Sequence, residues 1–439
     1  MLVQILLGFM GFWFFTLHTP LTRGMIESMN AFQTLDFLGL YNQVNATLLS
    51  FFALFPYWAP IILGTLFWRH WVRYVQARYI SNINWVILEI KIPRETNKSP
   101  LAMEIALGAL FQGGKINWYD KYRKGKVRDW FSLEMVSIEG QIRFFIRTSA
   151  IYKNVIEAQL YAQYPDVEIY EVPDYSRYVD YQGKEGEWEM IGAEYKLSKA
   201  DPYPIKTYID YGLDKDPKEE FKIDPLTSVI EYLGSAGKGE QVWIQIIVQA
   251  ADTRYTKKGG EKGDWKDEGK EIIDELTKRN EKTPEGMPSF KMMMTTKGEG
   301  EIVAAIERSM GKLGFDVGIR ALYLSKKDKF NPSNIKALGG LFRAFNSNNL
   351  NGFRYADQAI GWDYPWQDYE KIRITKKRKE FFEAYKYRAW FHDPRKLTPF
   401  VLTTEELATV FHFPGGVAQT PTFGRISSRK SEAPVNLPI

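Results

Sequence analysis

The chain has 439 residues, 45% of them hydrophobic and 25% charged, with 13 Trp, 25 Tyr and 28 Phe. Those proportions exclude a disordered chain, a collagen-like chain and a mostly membrane-embedded transporter; at about 150 residues per domain they predict two to three domains. The absence of Cys removes disulfides, thiolate metal sites and Cys nucleophiles, four His argue against a zinc enzyme, and the net charge of +5 permits contact with nucleic acid or anionic lipid without requiring either.

The first expected element is a membrane anchor over 1–80. Residues 1–22 carry no formal charge, and 46–68 form a second uncharged stretch. A bilayer core takes about 20 apolar residues in a helix, so spans are expected at about 2–18 and 46–68. Pro56 and Pro60 would kink the second span, which membrane helices tolerate. Trp58, Trp68 and Trp71 suit an interfacial belt. Arg69, Arg73 and Arg78 follow directly. The positive-inside rule then puts the bulk of the chain in the cytoplasm, at the inner membrane.

From residue 84 the periodicity changes. Val86, Leu88, Ile90 and Ile92 alternate as a strand closed by Pro93. Ser99-Pro100 starts a helix with Met103, Ala106, Leu107, Leu110 and Phe111 on one face. Phe131, Leu133 and Met135, a turn at Glu139-Gly140, and Ile142, Phe144 and Ile146 predict a hairpin. A helix over 152–164 and a strand from Val167 to Val172 complete a β-α-β-β-α-β order, the ferredoxin-like pattern, for a module over 81–178.

A second pass with similar grammar covers 179–350. Trp188 to Leu197 predicts a strand, Asp224-Pro225 a helix start, and Val242 to Val248 a dense strand. Residues 252–298 read as a charged, glycine-rich insertion. Glu299 to Leu313 predicts a helix, Val317 to Leu324 a strand, and Asn331-Pro332 one more helix. Over 351–439 the pattern weakens to a helical segment, with a capping box at Thr403 to Glu406 and an extended tail from Gly415. The expected fold is therefore α+β: transmembrane helices, then two tandem ferredoxin-like modules, the second interrupted, then the tail.

Motifs for catalysis do not emerge. Gly108 to Ile116 approaches a phosphate loop, but its spacing is off by one and no Ser or Thr follows Lys115, so it reads as a helix C-cap. No H-E-x-x-H or G-x-S-x-G occurs, and His18, His70, His392 and His412 are scattered. No catalytic residue, metal ligand or cofactor is expected. One stretch mixes aromatic and basic residues: Trp118, Tyr119, Lys121, Tyr122, Arg123, Lys124, Lys126 and Arg128. Such mixing suits single-stranded nucleic acid or anionic headgroups. The run Lys371, Arg373, Lys376, Lys377, Arg378 and Lys379, balanced by Glu380 and Glu383, reads as a solvated helix face.

Several strings together carry a family resemblance: IKIPRETNKSPLAMEIALGALFQG at 90–113, FSLEMVSIEGQIRFFIRT at 131–148, YKNVIEAQLYAQYPDVEIYEVPDY at 152–175, LTTEELATVFHFPGG, and TPTFGRISSRKSEAPVNLPI at the end. They resemble the membrane-anchored region that precedes the motor in conjugation-type (type IV secretion) DNA-translocating ATPases of bacteria with reduced genomes, and stand-alone homologues without the motor. The Walker lysine and acidic Walker B residue of the motor have no counterpart here. The resemblance implies a non-enzymatic, membrane-anchored component of a DNA-transfer machine. Its expected partners are membrane lipid and a RecA-type ATPase or channel subunit; nucleic acid and a second copy of the chain are compatible with it.

Overall fold

A computed structural model describes residues 37–93, 98–114, 116–215, 223–257, 259–277, 296–358 and 364–415. The chain divides into two units, Met1–Arg73 and Tyr74–Ile439. The first holds helix α1 (Phe37–Ala53) and the start of α2 (Phe55–Ser81).

The membrane anchor is corrected at this point. Among the described residues no helix is long and apolar enough to cross a membrane. The apolar stretch 46–68 is divided at Leu54 between two helices. α1 stops at 17 residues, and α2 runs on through Arg69, His70, Arg73 and Arg78, which dilute its apolar first half. The three arginines are exposed positions on this helix rather than the flank of a span. The span expected at 2–18 lies outside the described residues.

The second unit is built on one antiparallel sheet. Its strands are β1 (Trp85–Lys91), β2 (Phe131–Ile138), β3 (Gln141–Ser149), β4 (Glu168–Val172), β5 (Trp188–Leu197) and β6 (Glu240–Ala250), then β9 (Gly314–Lys326), β10 (Phe353–Gln358) and β11 (Phe400–Thr403). A small hairpin of β7 (Tyr255–Thr256) and β8 (Lys262–Gly263) stands apart. The order across the sheet is β10-β5-β9-β6-β2-β3-β1-β4, with β11 on β9 where β5 has ended. Taken in chain order, β1, β2, β3, β4 and β5, β6, β9, β10 follow the same sequence of neighbours from their outer edges inward. The two halves meet where β2 lies antiparallel to β6, from Phe131 opposite Val248 to Ile138 opposite Gln241. The expected fold is thus corrected on two counts. One nine-stranded sheet joins what was expected as two tandem modules, because the inner edges of the halves pair along their length, and no transmembrane helix is found among the described residues.

Local chemistry explains the elements. Ser99 Oγ accepts the Leu101 N–H and Pro100 takes the first position of α3 (Pro100–Gly108); the C-cap position falls on Ala109 in right-handed conformation rather than on a glycine. Glu139 and Gly140 at φ +53° and +83° form the turn that fixes the β2–β3 register. One sheet face carries the main apolar core. Leu133, Phe144, Ile244 and Ile319 pack there under α3, α5 (Lys153–Gln163), α6 (Thr227–Gly234), α9 (Asn334–Gly340) and the wholly buried α11 (Thr404–Val410). The other face is closed by α10 (Ile372–Lys386), whose Phe381, Phe382 and Tyr385 meet Val136, Trp243 and Leu322. Beyond α10, Trp390 covers Gly318, where an added Cβ would fall 2.1 Å from the indole.

α10 therefore corrects one expectation in part. It is exposed at Arg373, Lys376 and Lys379, as is its N-cap Lys371, but Ile374, Phe381, Phe382 and Tyr385 are buried. The 252–298 insertion contains the β7–β8 hairpin and α7 (Trp265–Leu276), started by a capping box at Asp264 and Asp267, and reaches the first turn of α8 (Lys297–Met310). Residues 278–295 and the tail from 416 lie outside the described residues.

Candidate functional site

The face beneath α10 carries polar residues where a covered sheet would ordinarily be apolar. Glu134, Gln245, Arg320 and Glu194 stand side by side on β2, β6, β9 and β5, each at most 1% exposed. Buried charges persist only when paired and hydrogen-bonded. Glu134 accepts from Arg388 Nε (2.9 Å), Ser132 Oγ (2.6 Å), Tyr175 Oη (2.7 Å) and Gln245 Nε2 (3.2 Å). Arg388 also reaches Asp174 at 2.5 Å. Burial pushes the Glu134 carboxyl up, but the Arg388 charge and these donors outweigh it and hold the group below its usual value. Glu194 is shared by Arg395 (2.9 Å) and Arg320 (3.5 Å). Each residue of this row has at least one partner inside the fold, while Gln245 Oε1, Arg320 Nε and Arg320 Nη1 have no hydrogen-bond partner among the described residues, and the row holds α10 and residues 388–395 onto the sheet.

A second knot centres on Asp316. It accepts from Arg254 Nη2 at 2.7 Å and lies 3.4 Å from Arg128 Nη2. Arg254 also donates to the Pro399 carbonyl at 2.8 Å. Beside it a cleft of about 180 Å³ is lined by Asp201, Asp252, Arg254, Tyr255, Trp265 and Glu268, with Val401. Burial raises Asp201 to about 6 against the opposing pull of Arg254. Glu268 rises to about 6 for the same reason, helped by Asp201. Among the described residues that line the cleft there is no Ser, Thr, Lys or His, and Arg254 there is tied to Asp316. Among the described residues no group of three or more His, Asp or Glu is placed to hold a metal ion. His392 is half-buried beside Trp130 and pushed down to about 4 by desolvation, and His412 pairs with Asp224.

The aromatic and basic residues of 118–128 separate into two groups. Trp118–Tyr122 form the short helix α4, with Trp118 and Tyr119 exposed at 68% and 54%. The chain after it turns at Gly125 (φ +70°), against the Val75 carbonyl, and no side chain fits there. Lys121, Arg123, Lys124 and Lys126 are exposed around the helix. Lys124 pairs with Asp120 at 2.8 Å and lies 5.6 Å from the Tyr119 ring, and Lys121 lies 5.3 Å from Tyr122. Arg128 leaves the group: it turns inward to Asp316 and donates to the Ala250 carbonyl at 2.8 Å. The structure thus brings together seven of the eight residues and ties the eighth, half-buried, to Asp316 and Asp252.

With that geometry in place, comparison with known proteins adds one finding. Residues 84–425 match the family described as Domain of unknown function (DUF8128). The chain belongs to this family. No curated protein matches it. The family match covers the whole sheet and both buried networks. Of these, the sequence had pointed only to Arg128. Glu134, Glu194 and Arg320 occupy outward positions in strand alternation, and only the placement of α10 makes them interior.

Proposed function

We propose that the chain is a docking component of a DNA-transfer apparatus of the conjugation type, and that it binds a RecA-type translocating ATPase, or cargo bound for one, through Trp118 and Tyr119. The apparatus is inferred from the strings that resemble the region preceding such motors. The observation that carries the docking role is the exposure of two large aromatic side chains on α4, a helix held by a turn that admits only glycine. Trp, Tyr and Arg dominate the binding energy of protein interfaces, and Arg123 stands beside them. The bases here favour a protein over a polyanion: Lys124 is committed to Asp120 and Arg128 to Asp316.

The test is direct binding between the purified chain and the RecA-type ATPase encoded in the same genome. Replacing Trp118 and Tyr119 together by Ala should weaken binding at least about tenfold, since each hot-spot truncation costs about 2 kcal/mol or more. Unchanged affinity in a folded variant would remove the proposal.

A further inference from the structure

A different surface answers to different chemistry. Tyr364, Trp366 and Tyr369 are exposed at 54%, 77% and 77%. Tyr364 and Trp366 stack on each other with centroids 4.8 Å apart and planes 16° from parallel. This aromatic segment is fixed to the start of α10, because the Asp368 carboxylate accepts the backbone N–H groups of Arg373 and Ile374, both at 2.8 Å. The rings therefore stand beside the exposed Lys371, Arg373, Lys376 and Lys379.

Two distant stretches join them. The turn Gly183–Glu185 lies on α10 so closely that a Cβ on Gly183 would meet Thr375 at 2.5 Å and Lys379 at 3.3 Å. Lys327 Nζ in turn donates to the Lys184 carbonyl at 2.5 Å, which brings in the exposed turn 326–329. Across 184–185, 326–329 and 364–380 there are ten Lys and Arg against five Asp and Glu (Glu185, Asp328, Asp368, Glu370 and Glu380), an excess of five. The whole chain has an excess of five, so the remainder is neutral. Arg378 turns to an acid of the sheet, Glu189. The chain's positive character is thus gathered at this place, next to three outward aromatic rings.

We propose that this surface binds single-stranded nucleic acid, with bases stacked on Trp366, Tyr369 and Tyr364 and phosphates on the lysines of α10 and the 184 and 327 turns. Stacking needs unpaired base faces, which a duplex keeps internal, and every base offers one, so binding is tolerant of sequence. Phosphate neutralisation releases counterions and makes binding fall with salt. The site is separate from Trp118 and Tyr119 and does not depend on the docking role.

The experiment is fluorescence anisotropy of a labelled homopolymeric oligonucleotide of about 16 nucleotides, a length that covers one stacking site. It uses the full chain at about 50 mM salt and then rising salt. The wild-type chain should bind the single strand in preference to a duplex of equal length. Trp366→Ala with Tyr369→Ala should weaken binding about tenfold or more. Lys376→Glu with Lys379→Glu should weaken it and lower the salt slope by roughly two. Trp118→Ala with Tyr119→Ala should bind as wild type. All six altered side chains are exposed, and circular dichroism checks the fold of each variant. No binding at low salt, duplex binding equal to single-strand binding, or retention of affinity by the Trp366 and Tyr369 variant would each overturn the proposal. So would heparin or an acidic peptide displacing the oligonucleotide only by matching it in affinity for both aromatic and wild-type chains, which would mark a general acid-binding face.

Discussion

At the scale of single residues, the interior beneath α10 is held by charge as much as by apolar contact. Removing Arg388 would leave Glu134 buried, with its principal counter-charge gone. Arg388→Met should therefore cost about 3–5 kcal/mol of stability in chemical denaturation, and pairing it with Glu134→Leu should recover a large part of that loss. The same pair sets an acid limit. Glu134 and Asp174 both lie below their usual values, because the Arg388 charge and hydrogen bonds overcome burial. Their stabilisation is present above the unfolded carboxylate pKa of about 4 and is lost as pH falls through the lower folded values. Gly318 is the second sensitive position. Gly318→Ala should cost about 1–3 kcal/mol, read from the denaturation midpoint, because the methyl would displace Trp390. Neither was legible in the sequence. Glu134 sits between Leu133 and Met135 in a run whose alternation marks it as outward, and strand periodicity does not tell open water from a second covering layer.

At the scale of elements, capping and proline chemistry made the starts of α3 and α11 readable, and the Glu139-Gly140 turn gave the β2–β3 hairpin. The joins between elements were not readable, because they depend on pairs far apart in sequence. His412, just beyond α11, shows this. It is buried, donates to the Ala408 carbonyl at 2.9 Å, and meets Asp224 at 3.0 Å, while Asp224 also accepts the Leu226 N–H before α6. Burial pulls the imidazole down, but the Asp224 charge and these hydrogen bonds raise it above 6.5. A raised folded value means stabilisation that is complete below the unfolded pKa and fades as pH rises through the folded one. Asp224→Asn keeps the acceptor for Leu226 and removes the charge. It should lower stability at pH 6 by about 1–3 kcal/mol and flatten the decline between pH 6 and 9. An unchanged decline would assign the pH dependence to another group.

At the scale of the whole molecule, the two passes of strand and helix seen in the sequence end as one sheet rather than two bodies. The reason is the pairing of β2 with β6 over eight residues, which no local pattern announces. A fragment ending at residue 178 would expose the edge of β2 and strip Glu134 of Arg388. It should show no cooperative unfolding, whereas the full chain should. The apolar stretch 46–68 misled in the opposite direction. Its composition has the length of a span, but the break at Leu54 divides it between two helices and the cations of α2 follow directly at its end. The candidate site was legible only in part: α4 was found from its aromatic and basic residues, while the aromatic segment before α10 went unread because the basic run behind it was balanced against Glu380 and Glu383.

The central claim, that the chain docks a translocating ATPase through α4, is tested most directly by photo-crosslinking in the cells that encode it. A photoreactive amino acid at Tyr119 should yield a covalent adduct with a RecA-type ATPase, identified by mass spectrometry. The same probe at Tyr178, which is 75% exposed elsewhere on the fold, should not. Equal adducts from both positions, or none with an ATPase from Tyr119, would contradict the account.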